Sequence, residues 1–167
     1  AAQRHLENGL IANGHQYGDW LALDGERYFG DSCGGGTDVW YIANVFYAVS
    51  LRIVAGTARI LGDRDAGKYR KGYERHLARI RREYFTASGR LAFSTVTAQA
   101  LALDFSVVPE KFRPQPAAQL NENVRQHGFH VTTGFVGTPY LLFALADNGY
   151  WETARRVLLN NAYPGWL

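Results

Sequence analysis

An all-α fold built from helical hairpins is what this sequence predicts, and three observations carry the prediction. Of the 167 residues, 47% are hydrophobic and 14% aromatic, enough for one core. The apolar residues recur mostly at helical spacing, with Gly- or Pro-containing turns between the periodic segments. Each strongly apolar segment is followed by a more polar one, as expected of an inner helix and its outer partner.

The first inner helix is expected from about Asp38 to Leu61, with Thr37 as N-cap and Gly62 as C-cap. Val39, Trp40, Ile42, Val45, Phe46, Val49, Ile53 and Val54 surround most of its circumference, which describes an interior helix. After a Gly62–Asp63 turn comes a basic helix from about Asp65 to Phe85. Tyr69, Tyr73, His76, Leu77 and Ile80 form its apolar stripe. A short apolar helix from about Thr95 to Phe105 pairs with a more polar one from about Pro116 to His127, ended by Gly128. The third inner helix reads TPYLLFALADNG, with Thr138 as N-cap, Pro139 in the first helical position and Asn148-Gly149 as the stop. Its partner is WETARRVLLNN, terminated by Pro164. The inner helices begin at unequal intervals and share no repeat signature, whereas solenoid repeats keep a period of about 33 to 47 residues. Irregular hairpins favour a closed (α/α) barrel, in which the loops entering the inner helices line a central cavity.

Several function classes are excluded on these residues. The net charge is +3, and the segment from Arg64 to Arg82 holds eight cations against two acids. That concentration suits either an anionic partner or a solvated outer helix face. The apolar stripe through the same segment favours the second, so no nucleic-acid partner is expected. No run approaches about 18 uninterrupted apolar residues, so no membrane span is expected. The opening AAQRHLENGLIAN carries charges where a secretory signal needs an apolar stretch. The single cysteine, Cys33, has no internal partner and reads as a bystander. No nucleophile elbow, phosphate-binding glycine loop or HExxH is present, and His5, His15, His76, His127 and His130 lack tight helical pairing. Neither a metal nor a cofactor is expected. The absence of methionine and the ending NAYPGWL suggest a segment cut at both ends.

Three polar turns carry the candidate chemistry. In HVTTGFVGT the glycines let backbone approach a ligand, while His130 and Thr133 offer short donors and acceptors. The competing reading has Thr132, Thr133 and Thr138 only capping the turn and helix. In GHQYGDWLALDGE, Tyr17, Asp19 and Trp20 set a carboxylate beside aromatic faces, a pairing suited to a sugar ring and its hydroxyls. The competing reading is a buried Trp with Asp19 as a cap. In TVTAQ, Thr97 and Gln99 either face the cavity or cap and face solvent.

YGDWLALDG, GTDVWYIANVFYAVSLRIVA, the phrase T-x-T-A-x-A-L-A-L from Thr95 and HVTTGFVGTPYLLFALADNGYWETARRVLLNNAYPGWL resemble bacterial α-L-rhamnosidases of glycoside hydrolase family 78. The resemblance covers nearly the whole chain in order. It implies a six-hairpin (α/α)₆ catalytic barrel that hydrolyses terminal α-L-rhamnosyl residues with inversion. It places the general acid upstream of the GDW motif and the general base shortly after Y-P-x-W-L. Residues 1–167 are therefore expected to form part of the barrel and to contribute pocket wall, with an α-L-rhamnoside and the rest of the barrel as partners. By motif position, Asp19 and Trp20 would bind the rhamnose ring, and His130, Thr133 and Thr97 would line the same subsite. The family usually reads T-Q-T-A-Y where this chain has Thr95-Val96-Thr97-Ala98-Gln99, which puts the polar role of that motif in doubt. Asp19→Ala is expected to cut activity far more than stability. Two other readings stay open: a six-hairpin glycosidase for a different sugar, and a non-enzymatic helical-hairpin binding module using the basic helix.

Overall fold

The computed structural model describes residues 6–24 and 34–166. Cys33 and the Gly25-Glu26 end of the GHQYGDWLALDGE turn lie outside the described residues. Two short strands, β1 (Leu6–Glu7) and β2 (Leu10–Ile11), precede six helices: α1 (Val39–Ile60), α2 (Ala66–Tyr84), α3 (Val96–Asp104), α4 (Pro114–Gln126), α5 (Thr138–Ala146) and α6 (Trp151–Leu158). The hairpins α1–α2, α3–α4 and α5–α6 fall where the periodicity predicts, and α3 packs against α1, α4 and α5.

The short helix α3 is the keystone. Its residues from Val96 to Leu103 are all buried, because the helix has neighbours all round. Val96, Ala100 and Leu103 join Leu120 and Val124 of α4, Leu141 and Leu145 of α5 and Val157 of α6 in one core. Ala98, Leu101 and Ala102 join Tyr41, Val45 and Ala48 of α1 and Ile80 of α2 in another. A helix apolar on every side cannot be satisfied by a single partner.

The interior character expected along all of α1 holds only for its first half. Tyr41, Ile42, Asn44, Val45 and Ala48 are buried, but Ile53 and Val54 are 60% and 46% exposed. Among the described residues, α2 and the much shorter α3 are the helices packed along α1, so its far flank stays open. By length and composition α1 would also pass as a membrane span. Its buried Asn44 instead pins the β1–β2 hairpin: Asn44 Oδ1 accepts from Ile11 N at 2.8 Å, and Asn44 Nδ2 donates to Ile11 O at 2.9 Å.

The basic helix α2 turns Ile80 and His76 inward, and two further residues of the stripe, Tyr73 and Leu77, pack on the same core. Arg81 is structural rather than free, with Nε donating to Val107 O at 2.7 Å. His76 sits against the ring of Tyr47 and lies within hydrogen-bond distance of the Asn44 and Gly9 carbonyls, at 3.1 and 3.3 Å.

Three expected caps are displaced by one residue, the first being the C-cap of α1, which is Leu61 and not Gly62. Asp38, not Thr37, caps α1, its Oδ1 accepting from Tyr41 N at 2.7 Å. The Thr37 hydroxyl is instead 2.6 Å from that of Thr95, which caps α3. Thr138 is the first residue of α5, after Gly137. Its hydroxyl turns back into the loop, donating to Thr133 O at 3.2 Å, and α5 has no side-chain cap bond. These contacts gather the starts of α1, α3 and α5 at one end, where the three polar turns also lie.

Candidate functional site

At that end, Asp19 joins two loops that are distant in sequence. Its side chain is fully buried. Oδ1 accepts from Val136 N at 2.8 Å and Gly137 N at 3.0 Å, while Oδ2 accepts from Gly134 N at 2.8 Å and from the Thr97 hydroxyl. A carboxylate offers about four acceptor positions, and four donors fill them. Three of the donors are backbone amides just ahead of α5, where the helix dipole also favours negative charge. The packing requires glycine: a Cβ on Gly134 would overlap the Trp20 and Asp19 carbonyl oxygens, and one on Gly137 would overlap the Thr97 hydroxyl.

Backbone bonds complete the clasp. Phe135 N donates to Trp20 O at 3.0 Å, and Leu23 N donates to Thr132 O at 2.8 Å. The outcome on the surface is an aromatic pair: the rings of Trp20 and Phe135 meet edge to face at 5.6 Å, with the side chains 46% and 65% exposed. Tyr17, also exposed, stands edge-on to His15 at 4.6 Å.

The five residues singled out as sugar contacts therefore occupy three settings. Asp19 and Thr97 lie beneath the surface and bond to each other. Thr133 is also buried, its hydroxyl 2.7 Å from that of Thr138. These three side chains spend their polar groups on the protein. Trp20 does reach solvent. His130 sits at the far end of the loop, half-buried, with Nδ1 3.2 Å from Pro164 O and 3.2 Å from Asn160 Nδ2. Among the described residues it shares no hydrogen bond or ring contact with the other four.

The sequence reading missed Phe135, although an aromatic between two loop glycines was a usable signal. It also missed Asp24, whose Oδ1 accepts from Gly36 N at 3.0 Å and whose buried Oδ2 has no hydrogen-bond partner. Burial, reinforced by the neighbouring Asp19, raises its pKa above the ordinary carboxylate value. Among the described residues no three His, Cys, Asp or Glu side chains converge as metal ligands would.

An α-L-rhamnosidase of Streptomyces avermitilis is 31% identical over 166 residues, covering 98% of this chain and 15% of its own length. One of Formosa agariphila is 28% identical over 160 residues, covering 95% of this chain and 17% of its own length. The chain thus spans less than a fifth of these curated relatives. The crystal structure of the Streptomyces avermitilis enzyme complexed with L-rhamnose superposes with a TM-score of 0.86 at 30% identity, over 99% of this chain and 15% of that one. The α-L-rhamnosidase of Aspergillus terreus shares the fold, with a TM-score of 0.83 at 24% identity over 92% of this chain and 18% of that one. Residues 2–167 match the bacterial alpha-L-rhamnosidase 6 hairpin glycosidase domain, and the chain belongs to that family.

Proposed function

We propose that the protein carrying this chain is an inverting glycoside hydrolase that removes terminal α-L-rhamnosyl residues, and that this segment builds one wall of its sugar pocket. The observation that supports this most directly is the exposed Trp20–Phe135 pair held above a fully bonded carboxylate. Aromatic faces suit the apolar side of a sugar ring. Trp20 and Phe135 are the contact residues in this reading. Asp19, Thr97 and Thr133 position them from beneath, and His130 borders the same loop. The Streptomyces avermitilis relative, whose structure contains L-rhamnose, supports the choice of sugar.

Inversion requires two carboxyl groups about 6.5–9.5 Å apart with water between them. With its acceptor positions filled, Asp19 is unsuited to be either, and the general acid and base belong to segments beyond these residues. The decisive experiment is hydrolysis of p-nitrophenyl α-L-rhamnopyranoside by the full-length product of the reading frame, beside the 167-residue chain. Turnover by the full-length protein alone is expected, and Trp20→Ala should lower its kcat/KM. Turnover by the short chain would place a proton-transfer group within it. Turnover of a different aryl glycoside only would transfer the pocket to another sugar.

A further inference from the structure

A cavity lies on the opposite side of α3 from Asp19. Thr97 and Gln99 are two positions apart, about 200° around a helix, so the face that bonds Asp19 and the face that carries Gln99 point apart. The cavity has a volume of about 300 Å³ and is lined by Phe93, Gln99, Gln119, Glu122, Asn123 and Gln126, with the Arg90–Ser94 segment along one side. Its walls come from the α2–α3 connection, α3 and α4. Both flanking hairpins are among the described residues, so these walls do not await another hairpin of the ring.

We propose that this cavity is a second sugar-binding site, taking one uncharged glycosyl unit. Gln99 is only 2% exposed, yet it lines the cavity. Its Oε1 accepts from Asn123 Nδ2 at 3.5 Å, and its Nε2 makes no hydrogen bond to the described residues. That donor is not among the sealed, unpartnered atoms of the described residues, so a ligand hydroxyl entering the cavity can accept from it. Asn123 is held in place by donating to Ser94 O. The carboxamides of Gln119 and Gln126 add donors and acceptors around the rim, the pairing a polyhydroxylated ligand needs. Phe93 supplies a ring braced by Tyr41 and Tyr84, at 5.2 and 5.7 Å.

Charge and size narrow the ligand class. Arg90 is the one cation lining the cavity and Glu122 the one anion, and Glu122 Oε1 already accepts from Gln126 Nε2 at 3.0 Å. With no cationic excess the cavity favours a neutral unit over a uronate, sulfate or phosphate. Ligand cavities run from about 300 to 1,000 Å³, so one glycosyl unit fits better than an oligosaccharide.

The test uses the full-length protein with Trp20→Ala, which disables the candidate pocket, and saturation-transfer NMR with methyl β-D-glucopyranoside, L-rhamnose and sodium D-glucuronate. Binding of a neutral sugar is expected, insensitive to salt. It should weaken about tenfold when Gln119→Trp fills the exposed rim or Gln99→Leu removes the buried amide. With Trp20 intact, Gln119→Trp should leave aryl rhamnoside turnover unchanged, which also reports correct folding if Gln99→Leu proves unstable. No neutral-sugar signal, a signal that Gln119→Trp leaves intact, or binding confined to the glucuronate would overturn the proposal. The readout is binding without turnover, so its failure is distinct from failure of the rhamnosidase reading.

Discussion

Along α3 every residue from Val96 to Leu103 is buried, whereas α1, more than twice as long, buries five residues in its first ten and only Ala58 beyond them. Both are inner helices with comparable apolar content. The difference lies in their neighbours: α3 is flanked by α1 and α5 and backed by α4, while one flank of α1 is open. Burial of an inner helix in a ring of hairpins reports how many of its ring contacts are present, and composition alone does not.

The largest effect that would sharpen this contrast belongs to Asp19→Ala, at the covered end of α3. It would strand three buried amides and the Thr97 hydroxyl, costing on the order of 3–5 kcal/mol. Urea denaturation should show the loss together with loss of activity. That revises the expectation of a selective effect on activity, since a side chain buried under both loops cannot be removed without loosening them.

Next is Leu101→Ala, fully buried on α3, at about 3 kcal/mol. A change below about 1 kcal/mol would mean that α3 repacks and is not the keystone. His76 gives a smaller and pH-dependent effect. Burial, aided by Arg79, holds its pKa below the usual 6.5, so above that pH it is neutral both folded and unfolded. As the pH falls through 6.5 the unfolded chain binds a proton that the folded one resists, so stability falls towards acid and His76→Gln should flatten the slope. Smallest is Ile53→Ser on the open flank of α1, within about 0.5 kcal/mol in the 167-residue chain. The same substitution should cost more in the full-length protein if a further hairpin covers that flank, and equal costs in both would break the comparison.

The helices were legible because 3.6-residue periodicity is local, and their ends fell within a few residues of expectation. The caps slipped where a hydroxyl had a better partner: Thr37 bonds Thr95, and Thr138 bonds Thr133. The β1–β2 hairpin was not legible, since two-residue strands leave no alternation to detect. Asp19 stood out in the sequence by motif and chemistry, but the bonds that hold it were not legible. Three of its four partners are backbone amides more than a hundred positions away, and amides carry no side-chain signature. Gln99 was visible as a polar residue at the start of an inner helix, but which face it occupied depended on where α4 packs.

The turns at Gly62 and Gly149 close two hairpins at the end opposite the clasp, both with positive φ, and a Cβ at either would meet nothing within 4 Å. Across α1 that separation is about 33 Å. These are the natural splice points for protein engineering: a fluorophore, affinity peptide or surface tether inserted there leaves the loop-bearing rim free, so immobilised protein should keep the clasp and its aromatic pair towards solution.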